Sequence, residues 1–278
     1  MSSLKVGLLQ MSSGEDVSKN LQFIKKNFET LRERHRPDLV ITPENSLFMR
    51  IRKTSAITGF EFGDDTFTAL QRMVDEGKTR LILGSLPLKT PGSSLVRNAM
   101  VLLEPSKEPQ VLYEKIHLFD VDVEGQPPVR ESAVFEAGRK PAFWEFKGFK
   151  FGLSICYDLR FSELYAVYAK AEVDAILIPS AFLVPTGSAH WEILIRARAI
   201  ESQCYVLAPA QGGRSSWVGE DGSEAFRETY GHSLAVDPWG KILLELDPGN
   251  GAGVVELQRD TIKRVRAQIP MKGHRRLI

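Results

Sequence analysis

The run Ala175-Ile176-Leu177-Ile178 has no polar side chain to turn toward water. Side chains of a strand alternate between its two faces, so a strand this apolar must be covered on both. That requirement points to a layered α/β architecture in which helices cover sheet faces. The rest of the chain alternates in the same way. Leu4 to Leu9 reads as a strand, followed by a helix with Leu21, Ile24, Phe28 and Leu31 on one face, then a strand at Leu39-Val40-Ile41. A helix carrying Phe67, Leu70 and Val74 leads to a strand at Arg80 to Leu83. Asn98 to Leu103 with Gln110 to Tyr113, and Ala142 to Phe146 with Phe149 to Ile155, read as hairpins around Glu104-Pro105-Ser106 and Lys147-Gly148. Further helices are expected after Cys156, from about Ala189 to Ser202, and from Arg259 to Gln268. The remaining strands are expected at Asp174 to Ile178, Cys204 to Ala208, Ser233 to Val236, Ile242 to Leu246 and Gly253 to Leu257. The polar stretch Gly212 to Thr229 reads as a long mobile loop near a site. No linker or fixed-period repeat divides the chain, so residues 1–278 are expected to form one domain.

A formal net charge of +1 over 278 residues gives no electrostatic case for nucleic acid or an anionic membrane. No secretory signal or membrane-spanning run is visible, and two cysteines do not make a disulfide framework. The expectation is a cytoplasmic protein.

The chemistry gathers around Ser154-Ile155-Cys156-Tyr157-Asp158-Leu159-Arg160-Phe161. Here an apolar strand stops, an amphipathic helix with Leu164, Val167, Tyr168 and Ala171 begins, and a cysteine stands at the junction. A rigid strand and the positive end of a helix dipole both favour a thiolate nucleophile; a small buried apolar cysteine fits the same residues. Among the five histidines, His35 and His274 read as surface, His190 and His232 as structural, and His117 alone adjoins another unusual segment. Glu44 and Lys115 each follow an apolar strand, where α/β proteins line their ligand crevices; a rim salt bridge would place them there as well.

Pro43-Glu44-Asn45, Glu114-Lys115-Ile116-His117-Leu118-Phe119 and Ile155-Cys156-Tyr157-Asp158-Leu159-Arg160-Phe161, in this order, resemble the signatures of the nitrilase superfamily of carbon–nitrogen hydrolases. The resemblance extends to Arg130-Glu131-Ser132, to Thr186-Gly187-Ser188-Ala189-His190-Trp191-Glu192, and to Tyr230-Gly231-His232-Ser233 with Asp237-Pro238-Trp239-Gly240. It implies a four-layer α-β-β-α sandwich that forms a homodimer or higher homo-oligomer, with the helices after Cys156 and Ala189 at the interface. It also implies a cofactor-free, metal-free amidase with a small-molecule amide substrate. The family's Glu-Lys-Cys triad falls on Glu44 as general acid–base, Lys115 as oxyanion donor and Cys156 as the nucleophile that forms a thioester. The Tyr157 N–H completes the oxyanion hole, and Glu131 orients Lys115.

Rival chemistries lack their residues. No His-x-x-x-His or Cys-x-x-Cys pair suits zinc, and Gly152-Leu153-Ser154-Ile155-Cys156 lacks the last glycine of a serine elbow. Gly212-Gly213 reads as a turn, not a phosphate loop. Pro43-Glu44-Asn45, and Arg196 to Val206 with Ala210-Gln211-Gly212, are most similar to the branch containing the deaminated glutathione amidases, with omega-amidases as near relatives. Both branches cleave an amide on a substrate bearing a 2-oxo acid. Arg160 and Thr186 are then candidate carboxylate contacts; an ion pair from Arg160 to Asp158 or Glu163 is the alternative. A catalytically weak scaffold of the same fold is the rival from outside enzymology. Cys204 reads as core, and the helix around Trp191, Ile195 and Ala199 as buried on more than one side.

Overall fold

A computed structural model describes residues 3–52, 54–124, 128–219 and 221–277. Two sheets face each other. The first, of seven strands, runs in the spatial order Gly251–Gln258, Ser3–Gln10, Leu39–Ile41, Arg80–Lys89, Val96–Leu103, Gln110–Glu114, with Phe135–Glu136 added beside Val96–Leu103. The second, of six, runs Ile242–Glu245, Leu234–Val236, Tyr205–Ala208, Ala175–Leu177, Phe149–Leu153, Ala142–Phe146. The three central strands at residues 3–10, 39–41 and 80–89 are parallel, as are those at 149–153, 175–177 and 205–208. Both expected hairpins form. The second turns at Lys147 and Gly148, with φ of 47° and 76°, the geometry that matches strand twist in a two-residue turn.

The helices cover the outer faces. Helix α1 (Val17–His35) starts where the Asp16 carboxylate accepts the Lys19 N–H, and α2 (Asp65–Gly77) where Asp64 accepts that of Phe67. Their Ile24, Phe28, Leu31, Phe67, Leu70 and Val74 pack with Leu9, Val40, Leu81 and Leu83 of the first sheet. The other face of that sheet, through Leu8, Ile41, Ile82 and Met100, joins one core with Phe151, Ile176, Val206, and the helices α3 (Ser162–Lys170) and α4 (Val184–Ser202). This is the four-layer α-β-β-α order, and Ala175–Leu177 is buried on both faces, as its composition demands. A last long helix, α5 (Arg259–Gln268), follows the strand Gly251–Gln258. Among the described residues, no helix is long and apolar enough to cross a membrane.

The two halves of the sandwich approach closely at Gly84. A Cβ there would collide with the Thr42 carbonyl oxygen of the first sheet and with Pro179, which follows a strand of the second.

Three expectations change. The stretch Gly212 to Thr229 is not an irregular loop: strands Gly212–Val218 and Glu224–Tyr230 pair in register from Gly212↔Tyr230 to Val218↔Glu224. Its inward face is partly polar, with Ser215 and Thr229 buried, so it lacks the hydrophobic alternation of a strand. Helix α4 starts at Val184 rather than near Ala189, because Pro185 pre-sets the first turn. Gly187 serves close packing there, since any Cβ would collide with Tyr230. Finally, α4 buries Trp191, Ile195 and Ala199 but leaves Ile193 70% exposed and Ile200 48% exposed, so in the single chain it is covered on one side only.

Candidate active site

Three strand ends deliver the predicted side chains to one cleft of about 770 Å³. Glu44 follows the strand Leu39–Ile41. Its turn is fixed by the Thr42 hydroxyl donating to Ser46 Oγ and by Asn45 at φ 57°, whose N–H donates to Ser85 Oγ. Gln211 Nε2 donates to the Glu44 carbonyl at 2.9 Å, so the second half of the chain also braces this turn. Lys115 follows Gln110–Glu114, its N–H donating to the Asn98 carbonyl at 3.0 Å. Cys156 follows Phe149–Leu153 and opens a short 3-10 turn, Cys156–Arg160, that precedes α3.

The ammonium of Lys115 sits between two carboxylates. Nζ donates to Glu44 Oε1 at 2.8 Å and to Glu131 Oε2 at 2.8 Å and Oε1 at 3.1 Å, with Lys115 itself 2% exposed. Burial works against the charge, yet Glu131, then Glu44 and Cys156, outweigh it and hold the ammonium well above its ordinary pKa. Glu131 thus reaches the Lys115 ammonium. It opens a 3-10 turn and also accepts the Phe119 N–H at 2.6 Å.

One residue of this cluster escaped the sequence reading. Asn98 Nδ2 donates to Glu44 Oε1 at 3.1 Å and to Glu131 Oε1 at 2.9 Å, linking the two carboxylates from the other side. Its only local signal is one buried amide in the apolar strand Val96–Leu103.

Cys156 is 8% exposed and has φ +49°, a backbone conformation that a side chain other than glycine's adopts at a cost. Its N–H donates to the Pro179 carbonyl, and its Sγ accepts the Ala181 N–H at 3.5 Å. The expectation of a depressed thiol pKa is overturned. Burial and the Glu44 charge push it well up, and Lys115 and the Ala181 N–H only partly oppose them. At neutral pH the pair is a thiol beside a base. Tyr157 lies in the first turn of the 3-10 segment, where backbone N–H groups have no partner within the helix.

Asp158 braces the nucleophile loop to the lysine loop. Fully buried, it accepts from Tyr113 OH at 2.8 Å, His117 N at 3.0 Å and Ile155 N at 2.9 Å, and faces His117 Nδ1 at 2.7 Å. His117, stacked on Phe161, belongs to this brace. With Asp158 so engaged, the suggested ion pair to Arg160 does not form. Arg160 instead lines the cleft beside the rings of Phe182 and Tyr157, with Nη1 3.1 Å from His190 Nδ1. Thr186 also lines the cleft, its hydroxyl donating to the Leu183 carbonyl within the first turn of α4. Arg50 and Arg227, which the sequence reading did not single out, complete the cationic lining. Cys204 is fully buried in the core, as expected.

Comparison with known proteins shows the family. A sequence model of the family described as carbon-nitrogen hydrolase matches residues 5–267. The chain is 36% identical over 272 residues to the deaminated glutathione amidase of Synechocystis sp., covering 96% of each. It is 32% identical over 284 residues to an omega-amidase of Saccharomyces cerevisiae, covering 98% of this chain and 93% of that one. Among solved structures, the Caenorhabditis elegans NitFhit protein superposes with a TM-score of 0.85 at 30% identity, covering 99% of this chain and 66% of that one.

Proposed function

The chain belongs to the carbon–nitrogen hydrolase family and is an amidase, and from that premise we propose that it cleaves a linear amide of a 2-oxo acid through a thioester on Cys156. The substrate this reading favours is deaminated glutathione, the substrate named for the Synechocystis relative. The observation that carries the reading is the buried Glu44–Lys115–Glu131 cluster sharing one cleft with Cys156.

The steps follow from where the charges stand. Glu44 takes the thiol proton as Sγ attacks the amide carbon, so the nucleophile is generated only as it is used. Charge then develops on the carbonyl oxygen. The Lys115 ammonium and the Tyr157 N–H are its donors, already oriented and in a largely desolvated site. The C–N bond breaks as Glu44 returns the proton to the departing amine, leaving the acyl group on sulfur. Water, giving its proton to Glu44, attacks the thioester; the carboxylic acid leaves and the thiol reforms. Glu131 keeps Lys115 fixed through the cycle. Arg160, with Thr186, would hold the carboxylate of the 2-oxo acid.

The test is release of 2-oxoglutarate from deaminated glutathione and, separately, from 2-oxoglutaramate. A clear preference for deaminated glutathione is the expected result. The reverse preference would make the chain an omega-amidase, and no release from either would remove the 2-oxo acid from the reading.

Asn98 is a positioning residue in this scheme. Hydrogen bonds to charged groups contribute about 1.5–3 kcal/mol, so Asn98→Ala should lower kcat roughly 10–100-fold. Because Asn98 would act through Glu44 and Glu131, KM should change much less than kcat. An equal change in both constants would place Asn98 on the substrate instead.

A further inference from the structure

The cleft holds more positive charge than the cysteine chemistry uses. Four arginines line it: Arg50, Arg130, Arg160 and Arg227. Arg130 is taken by Asp122, with Nη2 at 2.9 and 2.8 Å from the two carboxylate oxygens. Among the described residues, Arg50, Arg160 and Arg227 form no ion pair. The lining carboxylates, Glu44 and Glu131, are already bound to Lys115 and Asn98.

Arg227 stands on the inward face of the hairpin. Its register partner Ser215 is buried and donates to the Ser13 carbonyl at 2.6 Å, and the next inward residue, Thr229, bridges to Leu183. The Arg227 Nε is shielded from solvent and has no hydrogen-bond partner among the described residues. A guanidinium donor in that condition is costly unless something binds it.

Arg50 comes from the loop after Glu44, and the backbone on either side of it is pinned. The Met49 N–H donates to the Gly14 carbonyl, and the N–H groups of Ile51 and Arg52 both donate to Glu15 Oε1 at 2.8 Å. Glu15 cannot neutralise Arg50, since its other oxygen grips the Arg52 guanidinium at 2.6 and 2.8 Å. Arg52 in turn lies over the Trp217 ring at 4.2 Å, so the loop bearing Arg50 touches the hairpin bearing Arg227.

We propose that Arg50 and Arg227 form a second anion subsite, which takes a carboxylate on the leaving-amine side of the scissile amide. This rests on the amidase reading above, in which Arg160 and Thr186 hold the acyl-side carboxylate. A substrate with an anionic group at each end then spans the cleft with its amide over Cys156. In deaminated glutathione the second carboxylate is that of the terminal glycine; 2-oxoglutaramate, which loses ammonia, has none. The hairpin thereby becomes the element that separates long dianionic amides from short ones.

The test compares three amides of the same 2-oxo acid: deaminated glutathione, its terminal carboxamide, and 2-oxoglutaramate. For the native protein, kcat/KM on deaminated glutathione should exceed that on the carboxamide by about tenfold or more, the value of a charged hydrogen-bonded contact. Arg227→Gln and Arg50→Gln should each erase most of that ratio, chiefly through KM, and Arg227→Lys should restore part of it. A native ratio near one would overturn the subsite, as would variants that lose equally on all three amides. Calorimetric binding of deaminated glutathione and its carboxamide to Cys156→Ala separates this from the amidase reading. Preferential binding without turnover by the native protein would keep the subsite and remove the proposed reaction; equal binding would remove the subsite.

Discussion

Cys156→Ala should reduce amide hydrolysis by roughly 10³-fold or more while leaving the fold intact, the scale on which loss of a nucleophile acts in other hydrolases. The variant removes one sulfur from a position already 8% exposed, and the Cys156 N–H can still donate to Pro179. Its circular dichroism and melting temperature should therefore stay close to those of the native protein. Glu44→Gln should be almost as inactive for a different reason. The thiol is pushed up by burial and by the Glu44 charge, so it is not ionised at neutral pH and needs a base during attack. Removing the Glu44 charge lowers the thiol's pKa in principle but leaves its proton no acceptor. Iodoacetamide labelling distinguishes these roles: Glu44→Gln should label slowly at pH 7 and recover as pH rises, because hydroxide can then supply the thiolate. Turnover by Cys156→Ala within tenfold of native would exclude the thioester.

Lys115→Met should be the most destabilising change in the cleft as well as an inactive one. Breaking a buried ion pair by removing one partner costs about 3–5 kcal/mol, since the remaining charge is left uncompensated. Here two carboxylates are left, Glu44 and Glu131, joined only through Asn98. The pH dependence follows from the signs. In the native protein the Lys115 pKa is raised, so its contribution is complete below the unfolded value and is lost only as strongly alkaline pH passes through the folded one. Its contribution is therefore flat across neutral pH. Removing Lys115 takes that contribution away, so the deficit of Lys115→Met should be the same at about pH 6 and about pH 8. Urea denaturation at pH 6 and pH 8 measures this, and a deficit that vanished by pH 8 would mean the Lys115 charge is not the cause. Lys115→Arg keeps the charge but should still lose roughly 10²–10³ in kcat, because a planar fork cannot replace a point donor aimed at one oxygen.

The legible parts of this protein are those in which residue type and local spacing decide the outcome. Uniformly apolar strands such as Ala175–Leu177 declare their burial, and the spacing of Ile24, Phe28 and Leu31 declares a helix face. Glu44, Lys115, Glu131 and Cys156 could be named because each lies in a contiguous motif. The illegible parts depend on partners distant in the chain. Asn98 matters through residues 54 and 33 positions away, and nothing in Val96–Leu103 indicates either. Asp158 adjoins Arg160 in sequence yet is committed to Tyr113 and His117. The hairpin was hidden because its inward face holds serine, arginine and threonine, so hydropathy does not alternate along it. The thiol's pKa rises for a related reason: the local motif shows a helix start, whereas the dominant effects are burial in the folded core and the charge of Glu44, a residue distant in the chain.

That division gives Gly84 its meaning. Glu44, Lys115 and Asn98 belong to one sheet and Cys156 to the other, and at Gly84 the seam between them leaves room for a hydrogen only. The separation of base and nucleophile is thus a dimension of the framework, as invariant as the thickness of a wall. Arg50 and Arg227 sit on a loop and a hairpin outside that seam. A change at the mouth can therefore alter which substrate enters while the spacing of base and nucleophile stays as it is.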